Sequence, residues 1–305
     1  MARSPLFVTH QPGGVFHIDN TALTVGNVWY VDSNAAGKGT TASHGYNPDD
    51  PFSTVVAASD SGNLAAGDVV LVAAGHTETL SAAAAWDCDT AGVTWLGMGF
   101  SDLRPTITLN TDPLTDIDID AANITFDNLR FVANFLDIAA AIDVNADGFT
   151  CRRCEFVDTS TILNAKIWIL GAGANVSDRM VVEECEFYAY GAANTAAISM
   201  PSAEDRCLIR DNIFMGDWAT AAILAAGAIT KAGILRNLIA NLPDTADACI
   251  NVAASSTGIA AYNGVGTLLS GDATTNITVG ATMTAIQNYS VDIGDRSGVL
   301  DPIAT

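Results

Sequence analysis

The stretch NITFDNLRF, residues 123–131, is too short and too rich in β-formers to be a helix, and it recurs along the chain. Before it stands GVTWLGMGF, ending at Phe100. After it come FTCRRCEF (Phe156), MVVEECEF (Phe187), CLIRDNIF (Phe214), GILRNLI (Ile239) and IAAYNGV (Val265). The seven segments align without internal gaps, and their ends are 31, 25, 31, 27, 25 and 26 residues apart. Such a period is too short for a propeller blade of about 40–45 residues. It accommodates three short strands and three turns, one coil of a parallel solenoid whose equivalent positions stack at about 4.8 Å.

The aligned columns agree with stacking. Phe126, Cys151, Val182, Ile209 and Ile234 form an apolar column. Phe131, Phe156, Phe187 and Phe214 form an aromatic one. Leu129, Cys154, Cys185, Asn212, Asn237 and Asn263 share a position, apolar at one end and asparagine at the other. Stacked asparagines at a turn satisfy their own buried amides. A looser column precedes these in each coil, and Ile117, Ile142, Ile167, Ile198 and Ile250 are expected to face the core.

Composition sets the outer limits. The chain has 305 residues, 49% hydrophobic and 15% charged, enough to bury a large core. Against 13 Lys and Arg stand 34 Asp and Glu, a net charge of −21, which repels nucleic-acid phosphate and anionic membranes. Neither is an expected partner. No apolar run approaches the roughly 18 residues of a membrane span, and the N-terminal stretch lacks the apolar core of a secretory signal. Six scattered cysteines point to reduced thiols rather than a disulfide framework. The four histidines, His10, His17, His44 and His76, all lie early, so the rest of the chain offers no histidine ligand or base.

These repeats resemble the right-handed parallel β-helix, or pectin-lyase-like, superfamily. NVWYVDSNAAGKGT followed by NPDDPFSTVVAA resembles the capping segment of such helices, ending in a short amphipathic helix, and GDVVLVAAGHTETL resembles their first coil. The resemblance implies an all-β solenoid. Its expected parts are an N-terminal arm (residues 1–26), a cap with a short helix (27–66), the β-helix body (67–266) and a C-terminal cap or oligomerisation segment (267–305) that breaks the period. It says little about chemistry, because the fold hosts lyases, hydrolases, esterases and structural proteins. The acidic, Ala/Gly/Thr-rich chain looks most like the β-helix proteins of tailed-bacteriophage virions.

Four candidate sites follow. In TDIDID, residues 115–120, Asp116, Asp118 and Asp120 alternate with Ile117 and Ile119, so the acids share the outer face of a strand. The 25-residue offset stacks Asp118 on Asp143, and a second one sets Trp168 beside Asp143. Two carboxyls about 5 Å apart suit a retaining glycosidase, and an outward tryptophan suits a sugar platform. Asp118 and Asp143 are therefore the candidate catalytic pair, Trp168 the candidate glycan contact, and Asp116, Asp118 and Asp120 the candidate calcium ligands. Against this stands the plain reading of a solvated or interfacial face in an acidic protein.

Cys151 and Cys154 form a C-x-x-C, but both fall in core columns and read as packed thiols. Asp127, Arg152, Glu183 and Arg210 alternate in sign, as does much of the column Asn128, Arg153, Glu184, Asp211 and Arg236, and both read as surface charge ladders. His76 and Glu78 read as a turn histidine and a capping glutamate rather than an acid/base pair.

The expectation is a structural virion-surface protein made in the host cytoplasm. It would decorate or cement a capsid or form a short head fibre, act as a homotrimer with capsid or other virion proteins as partners, use no cofactor and catalyse nothing. The alternative is a tailspike-like protein that binds or cleaves a surface glycan.

Overall fold

Each repeated segment after the first makes two strands and the corner between them. A computed structural model of the chain describes residues 26–174, 176–191, 194–241, 248–267 and 276–290, with the short strands Phe7–Val8, His17–Ile18 and Ile303–Ala304. In it NITFDNLRF supplies the strands Thr125–Asp127 and Arg130–Ala133. Asn128 between them is in the left-handed region, φ 57°, and Arg153, Glu184, Asp211, Arg236 and Tyr262 repeat that conformation at 55°, 56°, 58°, 53° and 60°. Non-glycine residues enter this region at a cost of roughly 1–3 kcal/mol. Here each one turns the next residue inward, and the ladder of those next residues holds the corner.

Among the described residues most of the strands stack into three parallel sheets of ten, nine and nine, and two smaller two-stranded sheets stand beside them. The first sheet runs from Val28–Val31 to Met283–Ile286, the second from Thr77–Leu80 to Tyr289–Ser290, and the third from Trp86–Asp87 to Ile303–Ala304. Alternation decides what is inside. Phe126 pairs with Cys151, Cys151 with Val182, Val182 with Ile209 and Ile209 with Ile234, all buried as expected.

Two columns hold the prism together. Phe131, Phe156, Phe187 and Phe214 stack face to face, with ring centroids 5.1, 4.5 and 4.8 Å apart. At the corner Asn237 donates from Nδ2 to Asn263 Oδ1 and to the Ile209 carbonyl, both at 3.0 Å. Its Oδ1 accepts from the Asn212 backbone N–H at 3.1 Å and Asn212 Nδ2 at 3.0 Å. The ladder leaves few buried polar groups unpaired, which is what asparagine there achieves and leucine cannot.

Three expectations need correction. Phe100 does not begin the aromatic column. The six residues after it form a short 3-10 turn, Ser101–Leu103, and return the chain, so Ile107 pairs with Phe131 while Phe100 is 80% exposed. Ile167 is only partly buried, because two residues intervene and Ile169 takes the slot beneath Ile142. The period does not break at 267. Ile277–Val279, Met283–Ile286 and Tyr289–Ser290 each extend a sheet, and Asn288 continues the ladder under Asn263. Most of residues 1–26 and 267–305 lie outside the described residues.

At the other end Val55–Ser59 is the helix read from PFSTVVAA. Thr54 caps it through Oγ1, which accepts the Ala57 N–H at 3.0 Å. It covers the core where the first coil of the third sheet begins, and the Ser59 hydroxyl donates to the Asp87 carbonyl.

Candidate functional site

The outward acids of the third sheet are stacked, as the 25-residue offset predicts, and the stack is longer than expected. Asp118 pairs with Asp143, and Asp87 pairs with Asp118 on the other side. Asp87 was not foreseen, yet WDCD, residues 86–89, repeats the apolar–acid alternation of IDID, residues 117–120, at a 31-residue offset. Beyond Asp143 the column becomes Leu170, Ser199, Leu224 and Asn251, so the acids span three coils.

Crowding shifts these carboxyls. Partial burial, then the charges of Asp116, Asp120, Asp143 and Asp87, push Asp118 up to about 6. Burial with Asp116 and Asp120 pushes Asp143 up to about 6. Asp87 is raised by burial and by Asp120, Asp89 and Asp60. Asp143 Oδ1 and Asp87 Oδ1 are shielded from water without a hydrogen-bond partner. Asp116 accepts the Ala84 N–H and Asp120 accepts from Asn145 Nδ2 at 3.0 Å. Near pH 6 such a column holds both protonated and ionised carboxyls, the requirement for paired acid/base work.

Two supports for glycan chemistry are absent from this face. Trp168 is not outward beside Asp143. It is fully buried, its ring 5.5 Å from Phe156, because the same two-residue shift that displaces Ile167 sets Leu170 against Asp143. Asp116, Asp118 and Asp120 do not converge as ligands, since alternate residues on one strand spread along it. Among the described residues no group of three His, Cys, Asp or Glu is arranged to hold a metal ion.

The other candidates resolve as structural parts. Cys151, Cys154 and Cys185 are buried free thiols, with Cys151 Sγ and Cys185 Sγ 3.8 Å apart, and burial pushes the Cys151 and Cys185 thiols well up. His76 is fully buried. Its Nδ1 accepts the Ser33 N–H at 3.0 Å, leaving Nε2 to face Glu78 Oε2 at 3.4 Å. Glu78 accepts the Val55 N–H at 2.6 Å and so caps the helix, as expected.

The charge ladders are paired in register. Arg152 Nε meets Asp127 Oδ2 at 2.9 Å, Arg153 Nη2 meets the same oxygen at 2.5 Å, and Arg210 reaches Glu183 at 2.5 Å. Arg104 and Arg130 share Glu155 at 3.3 and 3.5 Å, Arg179 holds Asp147, Arg206 holds Asp205, and Arg236 holds Asp211. Every arginine among the described residues therefore has an acidic partner.

Fold and registers together define an all-β parallel solenoid, similar in fold to a pectin-lyase-like β-helix. The solved structure of a rhamnogalacturonan lyase superposes with a TM-score of 0.50 at 11% identity, over 91% of this chain and 84% of that one. No family model matches the sequence. No curated protein matches it either.

Proposed function

We propose that the chain is a non-catalytic structural protein, a rigid β-solenoid prism on a bacteriophage virion surface that decorates or cements the capsid or forms a short head fibre. The observation that carries the structural reading is the pairing of the arginines. A β-elimination on a uronide needs a basic side chain free to take a proton, and arginine fixed by a carboxylate across a strand is poorly placed for it. The same pairs, each contributing about 0.2–1 kcal/mol, tie coil to coil along the prism. The virion assignment rests on the acidic, Ala/Gly/Thr-rich composition. Counting copies in purified particles tests it: hundreds per particle fit a capsid protein, and a few dozen or none would sink the reading.

A second reading is favoured by one observation, the Asp118–Asp143 pair with both carboxyls raised to about 6. This is a glycan-cleaving protein in which one carboxyl donates a proton and its neighbour acts as nucleophile, on paired strands about 4.8 Å apart, against the about 5–5.5 Å carboxyl spacing of retaining enzymes. It requires release of reducing ends from a polysaccharide, abolished by Asp118→Asn or Asp143→Asn. Absence of release from bacterial capsular and pectic substrates rejects it.

A further inference from the structure

Three thiols meet inside the corner between the first and second sheets, where the asparagine ladder ends. Arg152 pairs with Glu183 and Glu155 with Glu186, and the left-handed residues Arg153 and Glu184 lie between them. The residues that follow the left-handed ones, Cys154 and Cys185, therefore occupy one position on adjacent coils, and the Glu186 N–H donates to the Cys154 carbonyl at 2.9 Å. On the next coil that position is Asn212, whose Oδ1 accepts the Cys185 N–H at 2.9 Å. From Asn212 to Asn288 side-chain amides bond each coil to its neighbour. Cys185 and Cys154 continue the column with no amide to offer.

Stacked positions are about 4.8 Å apart, inside the about 4.4–6.8 Å that separates the Cα atoms of a disulfide. Both side chains point the same way. Cys154 Sγ lies 3.4 Å from the Arg152 carbonyl and Cys185 Sγ 3.3 Å from the Glu183 carbonyl, each two residues back. Rotation about the Cα–Cβ bonds turns the sulfurs toward each other and gives up only weak S–H donors. Cys151 is the third thiol, with its Sγ 3.8 Å from Cys185 Sγ. It stacks on Val182, so the corner as well as the coil step separates its backbone from that of Cys185.

We propose that Cys154 and Cys185 are an oxidisable pair, which a small peroxide converts into a disulfide joining two adjacent coils. The pair follows from the register of the coils and goes beyond the structural reading above. The three thiols differ in the way this step needs. Burial opposes ionisation of Cys154, yet hydrogen bonds from the Cys151 and Cys185 thiols and from the Leu129 backbone hold it well below the usual thiol range. Burial pushes Cys151 and Cys185 well up. Cys154 thus carries the thiolate, the form that attacks. Its sulfur takes one oxygen of hydrogen peroxide, the O–O bond breaks, and hydroxide leaves a sulfenic acid behind. Cys185 Sγ then attacks that sulfur, the S–O bond breaks, and a second hydroxide leaves. The protons shed by the two thiols turn both hydroxides into water. Two thiols lose two electrons, and one peroxide is reduced to two waters. All three cysteines are at most 1% exposed, which favours so small an oxidant. The prism is then softer in a reducing compartment and stiffer in an oxidising one, with the covalent rung placed where the amide rungs end.

Peroxide treatment of the purified, reduced full chain tests this. Titratable thiols of the protein, denatured afterwards, should fall by two, from six to four, and the intact mass by two hydrogens. A digest made without reductant should contain the Cys154 peptide linked to the Cys185 peptide. The melting temperature should rise by roughly 5 °C and return with dithiothreitol. Cys185→Asn repeats the residue of the next coil and Cys154→Leu repeats Leu129 of the preceding one, so both keep the column filled. Each should lose the mass change and the melting shift together. Six thiols after peroxide, a bridge through Cys151, sulfinic acid at Cys154 with Cys185 still reduced, or a bridge that forms only in urea overturns the proposal. So does a melting shift that either variant retains.

Discussion

Asp118 lies directly opposite Asp143 in adjacent parallel strands, and both carboxyls are raised to about 6 where an unstructured aspartate titrates near 3.9. The fold imposes this juxtaposition, since stacking equivalent positions stacks equivalent charges. In the columns beside it the charges alternate in sign. Here they do not, and the carboxyls respond by holding their protons.

That shift has a defined sign. A carboxyl whose folded pKa exceeds its unfolded one binds protons more tightly when folded, so its stabilising contribution is complete below about pH 4 and lost as pH rises through about 6. Asp158, raised to about 6 by burial, and Glu204, raised to about 7 by burial, act the same way. Asp118→Asn should therefore be more stable than the parent chain at about pH 8. The difference is about 1 kcal/mol or less, because the site is partly solvated and screened, and it vanishes toward about pH 4. Thermal melts of both proteins across that range measure it, and a constant difference would refute the assignment.

How far the sequence reached depends on where insertions fall. Phe126 to Ile234 and Phe131 to Phe214 were legible because each segment crosses its corner in a fixed number of residues, so gapless alignment equals structural register. The third sheet lies between the repeated segments, where loops differ in length. There a two-residue shift moved Trp168 from outside to inside and replaced Ile167 by Ile169. The same variability hid Asp87, whose partner is 31 rather than 25 residues on. Asn288 was concealed differently, since AIQNYS keeps the ladder asparagine but loses the apolar residues that flag the segment. What chemistry the acid column performs was not legible, because one pattern of alternating Asp and Ile serves equally for a solvated strand and a site.

The burial of Trp168 separates core from sugar platform. All five tryptophans are at most 4% exposed. Acrylamide should quench their fluorescence poorly in the folded chain, and added oligosaccharide should not shift the emission. Trp168→Ala should cost about 3–5 kcal/mol of stability through the cavity it leaves against Phe156. Retained stability with lost glycan binding would instead place the ring at a ligand.

Asn237→Ala removes four hydrogen bonds at one step of the corner ladder and strands the Asn212 N–H and the Ile209 carbonyl inside the prism. A buried group left unpaired costs about 1–3 kcal/mol, so a loss on the order of 3 kcal/mol is expected. Urea unfolding gives the number. A loss below about 0.5 kcal/mol, the range of ordinary surface changes, would mean that the ladder is incidental to the corner.

Phe187 tests whether the aromatic column acts through stacking or through volume alone. Its ring is nearly parallel to both neighbours, 2° from Phe156 and 8° from Phe214, at 4.5 and 4.8 Å. Alanine there empties a fully enclosed site between two rigid rungs. Parallel strands above and below prevent collapse, so the cost should reach the upper part of the about 3–5 kcal/mol range for phenylalanine truncation. Leucine keeps most of the volume and loses the ring contacts, each of which adds about 0.5–1.5 kcal/mol beyond burial. Phe187→Leu should thus cost about 1–3 kcal/mol, and a Phe187→Leu/Phe214→Leu double variant should cost less than the sum of the singles, because one stacked pair is removed twice in that sum. Denaturant titration of the four proteins measures the coupling. Strict additivity would show that the rings merely fill space and that the stack contributes nothing of its own.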